Sequence, residues 1–261
     1  MIEQNQSNIE QADTDKKCLP VWGPWQTTGL GFAIIMINTA AQAGVLITLA
    51  AREFALNPDL GILTVVTNLA QNGFLISMAV IVSGIVGVVM VIVFVKARQR
   101  ASIREYLALN PLTQRQALIN LAVVAGLIAL MELVSSATGQ SPDTGFNLKV
   151  YQTADPLALL WIAFIIFAPA FEEVFFRGFL FVGWLRSRLG SIGTIAITSA
   201  LWALLHIQYN VYGMVQILII GIVLGITRYK TGSLWSPLLM HFVLNLAAMI
   251  AIAISLNGSG S

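Results

Sequence analysis

The chain of 261 residues is 57% hydrophobic and only 10% charged, where an ordinary soluble domain carries about 25% charged residues. Apolar stretches recur along most of it, and at about 20 residues each is long enough to cross a hydrocarbon core of roughly 30 Å. Those figures exclude an ordinary soluble protein, and a net charge of +2 gives no argument for nucleic acid as a partner.

The elements follow in chain order. Residues 1–27 read as a polar N-terminal tail, disordered or interfacial, with Trp22 and Trp25 near the first span. The tail holds the single cysteine, Cys18, so no internal disulfide is possible. The first 26 residues lack the basic-then-apolar pattern of a cleavable signal, so the first apolar segment is expected to stay as a membrane helix. Residues 28–150 supply N-terminal membrane helices, with spans expected at 28–51, 74–95 and 116–137 and a short interfacial helix in the connector 52–73. Residues 151–261 supply the rest, with spans at 157–187, 191–208, 211–228 and 233–255. A straight helix over 157–187 would extend about 45 Å, so Pro169 is expected to kink or divide it. The expected fold is therefore all-α: a polytopic transmembrane helical bundle with seven crossings in about eight helical pieces. No internal repeat is evident, and there is no room for a second domain.

Charge placement orients such a bundle. With a cytoplasmic N-terminus, the cytoplasmic segments hold Lys16, Lys17, Lys96, Arg98, Arg100, Arg104, Arg115, Arg186, Arg188, Arg228 and Lys230, while the outer segments hold only Arg52 and Lys149. The positive-inside rule favours this arrangement. It makes the chain a multi-pass protein of the plasma (inner) membrane with its C-terminus outside.

Ionisable side chains inside a bilayer are costly and mark function by default. Here they are Glu132, Glu172, Glu173, Arg177, His206 and His241, whereas all five aspartates lie outside the spans. On a helix Glu173 and Arg177 share a face and can pair, while Glu172 points about 100° away. Trp202 and His206, then His241 and Asn245, are likewise four apart. Each pair alone reads as easily as an interhelical packing contact. Three such pairs on neighbouring segments are harder to assign to packing. Glu132, near the outer end of its span, can snorkel and is left out of the site.

At these residues the chain resembles the CAAX protease and bacteriocin-processing family, also called CPBP or Abi. The family's EExxxR, FxxxH and HxxxN appear as Glu172-Glu173-xxx-Arg177, Trp202-xxx-His206 and His241-xxx-Asn245. The one departure is Trp202 in place of Phe. The likeness covers roughly residues 155–250 and implies an intramembrane endopeptidase acting on membrane-associated proteins or peptides. CAAX-type processing and bacteriocin maturation or immunity are the family's known settings. Members have been described both as metalloproteases and as metal-independent glutamate proteases.

Other intramembrane protease chemistries lack their residues here. There is no HExxH, no pair of intramembrane aspartates and no GxSG. What remains is water activated by glutamate and histidine. In this reading Glu172 with His206 deprotonates the water, His241 and Asn245 stabilise the oxyanion, and Glu173 with Arg177 sets the charge balance; the two glutamates can exchange roles. A divalent metal, zinc above all, on Glu172, His206 and His241 is the alternative. A shared site faces one geometric tension. Counted from the cytoplasmic helix ends, Glu172 and His206 lie about 22 and 24 Å deep but His241 only about 12 Å. A separation above about 10 Å between His241 and Glu172 would end the idea. An ion-coupled transporter and a non-catalytic membrane scaffold are the competing readings.

Overall fold

The computed structural model describes residues 21–57, 59, 61–98, 101–142 and 145–258. Cys18, most of the polar tail, Lys16, Lys17, Arg100 and Asp143 lie outside the described residues. Among those described, the chain forms ten helices and no strand.

Helix α1, Pro24–Leu56, starts four residues before the expected span. Pro24 occupies the first helical position, where its missing N–H is not needed. The Gln26 side chain turns back to accept the Gly23 N–H at 3.1 Å. The end of the tail is also anchored: the Trp22 indole donates to Phe94 O at 2.9 Å, and the Arg98 guanidinium lies 5.4 Å over its ring. The expected connector helix is α2, Ile62–Leu69. Helix α3, Gly73–Ala97, is the most apolar span, with a mean hydropathy of 3.0. It packs against α1 on one side and against the site helix on the other. A Cβ on its Gly87 would fall 2.3 Å from the Phe171 ring, so this glycine admits the site helix.

Two short helices, α4 (Ile103–Tyr106) and α6 (Phe146–Gln152), flank the third span, α5 (Gln114–Thr138). Thr113 caps α5 by accepting the Gln116 N–H at 3.2 Å. Helix α7, Leu157–Leu185, holds the candidate site. It is followed by α8 (Gly190–Leu204), α9 (Val211–Thr231) and α10 (Trp235–Gly258).

Six of these helices are long and apolar enough to cross a membrane: α1, α3, α5, α7, α9 and α10. Together with the 15-residue apolar α8 they make the seven-crossing bundle. Pro169 does not divide α7. The helix runs through it with a π-helical turn on each side, Ala163–Phe167 and Glu173–Leu180. In the first, the Ala168 N–H reaches five residues back to Ala163 O. A wider turn relieves the clash between a proline ring and the preceding turn's carbonyl, so the chain continues as helix.

The bundle has two ends. The end carrying most basic residues gathers the start of α1, the α3–α5 connector, the α7–α8 turn and the α9–α10 turn. It is tied by Leu234 N–H to Ala108 O at 2.9 Å, Asn110 Nδ2 to Gly232 O at 2.9 Å and Trp184 Nε1 to Thr28 Oγ1 at 3.1 Å. The opposite end gathers α6 with the α2–α3, α5–α6 and α8–α9 connectors. Its ties are Thr153 Oγ1 to Gln71 O at 2.7 Å, Asn210 Nδ2 to Ser141 O at 2.7 Å and Asn147 Nδ2 to Tyr209 Oη at 3.1 Å.

Candidate active site

The site is built around two adjacent carboxylates in different surroundings. Glu173 and Arg177 are both fully buried, with Arg177 Nη1 donating to Glu173 Oε1 at 3.0 Å. The second guanidinium nitrogen donates to Gly221 O on α9 at 3.2 Å. Glycine is needed there because an added Cβ would stand 3.0 Å from Ser199 Cβ and 3.1 Å from Trp202 Cε3. Close approach of α8 and α9 thus presents a backbone acceptor to Arg177. The Trp202 ring covers the guanidinium at 4.7 Å, a cation–π contact in a dry setting.

His241, 4% exposed, joins the two carboxylates. Its Nδ1 lies 2.8 Å from Glu173 Oε1, and its Nε2 lies 3.9 Å from Glu172 Oε2. The depth mismatch is resolved because the α9–α10 turn is drawn into the protein. Leu234 and Ser236 are fully buried, and the Leu234 N–H is anchored on Ala108 O. Helix α10 therefore starts inside the bundle rather than at its surface.

Glu172 is the accessible member of the pair: its side chain is 21% exposed against 0% for Glu173. The Trp202 indole N–H donates to Glu172 Oε2. Trp202 also sets its ring edge-to-face against His206 and His241, at centroid distances of 5.0 and 5.2 Å. Glu132, left out of the site, is exposed on α5.

Two sequence expectations change. His206 does not extend the α8 face, because α8 ends at Leu204 and His206 lies in the turn beyond. The polar run Gln208-Tyr209-Asn210 ends the helix, and Asn210 Oδ1 caps α9 by accepting the Gly213 N–H at 2.9 Å. His206 still meets Trp202, with Nδ1 2.8 Å from Trp202 O. The second concerns Asn245, which has a partner beyond its own helix: its amide donates to Phe164 O at 2.7 Å on α7. The cause is local. Phe164 O would take the Ala168 N–H in an α-helix, but the π turn sends that N–H to Ala163 O. Five residues on stands Pro169, which has no N–H. Asn245 fills the gap.

Arg228, which the sequence assigns to a cytoplasmic segment, is 6% exposed. It packs 5.4 Å over Phe181 and donates from Nε to Arg177 O at 3.0 Å. Arg177 lies in the second π turn, where the hydrogen bonds shift from the α-helical pattern. Phe181, the α-helical partner of Arg177 O, sends its N–H to Phe176 O instead. A basic residue in the last turn of a span gives no sequence signal of such a role. The Trp202 hydrogen bond did have one, in the departure from phenylalanine.

Among the described residues no three His, Cys, Asp or Glu side chains are placed to hold an ion. In the proposed set, His241 Nε2 lies 3.9 Å from Glu172 Oε2, and His206 Nδ1 is engaged by Trp202 O, so His206 would offer Nε2.

Residues 154–247 match the family described as type II CAAX prenyl endopeptidase, Rce1-like. This segment is similar to the CAAX protease family. The segment contains every residue of the site, from Glu172 to Asn245. An uncharacterised 24.3 kDa protein of Escherichia coli is 29% identical over 109 residues, 38% of this chain and 48% of the relative. The chain thus spans about half the length of that relative. No solved structure matches. The CAAX protease segment takes in all of α7 but its first three residues lie before that helix, so the family's share of the chain begins where the site helix does.

Proposed function

We propose that this protein is an intramembrane endopeptidase that hydrolyses a peptide bond of a membrane-associated protein or peptide with water activated by Glu172. The observation that carries this reading is the asymmetry of the adjacent glutamates. Glu173 is sealed between Arg177 and His241, whereas Glu172 is partly accessible and faces His241 Nε2.

Glu172 accepts a proton from water, and the oxygen adds to the peptide carbonyl carbon. Collapse of the tetrahedral intermediate breaks the C–N bond, and the proton held by Glu172 passes to the leaving nitrogen. With Glu173 accepting from its Nδ1–H, His241 turns Nε2 toward the reacting groups. Carrying a proton there, it donates to the oxyanion. His206, with Nδ1–H directed at Trp202 O, keeps Nε2 as an acceptor that orients the water. Asn245, bonded to Phe164 O, acts as a tie between α10 and α7. The lipid bilayer is the medium of the reaction, and the basic end of the bundle is cytoplasmic.

The experiment is a comparison of newly formed peptide ends in cells carrying the wild type and Glu172→Ala, followed by cleavage of the identified substrate with purified protein. Cleavage is expected to fall at least about 100-fold in Glu172→Gln. Wild-type activity in Glu172→Ala overturns the assignment.

A further inference from the structure

We infer that the site opens toward the end of the bundle opposite the basic one, so that its substrate is a peptide segment on the extracytoplasmic side: an exported peptide or an outer juxtamembrane stretch. This rests on the endopeptidase reading above.

The route from the basic end along α7 is closed. From Phe175 to Phe181 every residue of α7 is buried. Tyr106 of the α3–α5 connector stacks on Phe179 at 6.0 Å, and both are fully buried. Leu107 comes within 3.0 Å of where a Cβ on Gly178 would stand. Arg177, Arg228, Leu234 and Ser236 fill the same layer. A peptide from that end would have to displace a hydrophobic plug and two buried guanidinium groups.

The other direction is short and polar. Helix α8 has 15 residues and so extends about 22 Å, some 8 Å less than a hydrocarbon core. Its far end, two residues before His206, therefore stops short of the opposite membrane surface. Beyond it the walls are partly accessible and hydrogen-bonding: Tyr209 with Asn147, and the set Ser135, Tyr212 and Gln216 between α5 and α9. These groups sit outside the spans or near the ends of α5 and α9 on that side, where water reaches them.

Charge then names the compartment. Excluding the buried Arg228, the described residues place Lys96, Arg98, Arg104, Arg115, Arg186, Arg188 and Lys230 at the closed end, against Arg52 and Lys149 at the open one. The closed end is the cytoplasmic one. A lipidated C-terminus presented from the cytoplasm would meet the plug, not Glu172.

The test uses the full chain in a Cys18→Ser background, which removes the only native thiol. Ile207→Cys sits in the open-end turn, 81% exposed, and Leu189→Cys in a basic-end turn, 39% exposed. In intact cells a membrane-impermeant maleimide is expected to label Ile207→Cys and to reach Leu189→Cys only after permeabilisation. Peptide ends that depend on Glu172 are expected in exported peptides or outer segments. The reverse labelling pattern, or Glu172-dependent ends confined to cytoplasmic segments, overturns the sidedness and leaves the protease reading standing. Complete absence of Glu172-dependent ends overturns both.

Discussion

Trp202 is where this chain departs from the phenylalanine of the family pattern, and Trp202→Phe isolates what the departure does. Phenylalanine keeps a ring to cover Arg177, 4.7 Å away, and to meet the edges of His206 and His241. It deletes one group, the indole N–H that donates to Glu172 Oε2. A hydrogen bond to a charged group contributes about 1.5–3 kcal/mol, which corresponds to about 10- to 150-fold in rate. Glu172 is 21% exposed, so water replaces part of the bond, and the loss in kcat is expected at the lower end, about 10- to 30-fold. The mechanism is positional: a released carboxylate can close the 3.9 Å gap to His241 Nε2 and pair with the group it should work beside. Trp202 is 3% exposed and does not line the route to substrate, so KM should stay within about twofold. The assay is steady-state cleavage of the substrate found by peptide-end mapping, with thermal melting in detergent measured alongside. A kcat within about twofold of wild type, or an increase, refutes the positioning role. So does a loss of kcat that tracks a lowered melting temperature.

Removing either partner of the buried Glu173–Arg177 pair should destabilise by about 3–5 kcal/mol, because the survivor keeps an uncompensated charge. Melting of Glu173→Gln combined with Arg177→Gln should recover part of the loss seen in Arg177→Gln alone. Gly221→Ala should cost about 1–3 kcal/mol by pressing on Ser199 and Trp202, whereas Gly126→Ala, with nothing within 4 Å of its added Cβ, should be neutral or stabilising in the same melting assay. Tyr106 lies in the connector outside the spans, where burial pushes its phenol from 10.0 up to about 12. Between those values the unfolded chain loses the proton first, so stability falls with rising pH by up to about 2–3 kcal/mol. Tyr106→Phe should remove that part of the decline, read as the difference in melting between about pH 9.5 and 11.5.

Spans and the main ion pair were legible because they depend on quantities a sequence carries directly. Uninterrupted apolar length located α3, α5, α9 and α10 to within three residues at each end, and i,i+4 spacing anticipated the 3.0 Å bond between Glu173 and Arg177. The divergence of the two glutamates followed from their 100° offset on a helix. What was not legible came from departures from regular geometry. Depth counted from helix ends assumed that α10 starts at the membrane surface, whereas Leu234 and Ser236 at its start are fully buried. His206 was placed on a helix that stops two residues earlier. Pairing His241 with Asn245 assumed that the only partners on offer were on the same helix.

Asn245 shows why that assumption fails, and it separates a structural from a catalytic role. Its amide serves a carbonyl that exists as an acceptor only because α7 contains a π turn followed by Pro169. Arg228 likewise bonds a backbone carbonyl of the second π turn, that of Arg177. The two turns that carry α7 past its proline and through its glutamates thus also determine which neighbouring helices hold it. An unpaired carbonyl in this setting costs about 1–3 kcal/mol, so Asn245→Ala should lower the melting temperature by that equivalent. Asn245→Asp, which retains the shape but lacks a donor when ionised, should do no better. If Asn245 instead served the oxyanion, kcat would fall about 100-fold or more with melting unchanged. That result would assign the amide's second N–H to the oxyanion, and would overturn its assignment here as a tie alone.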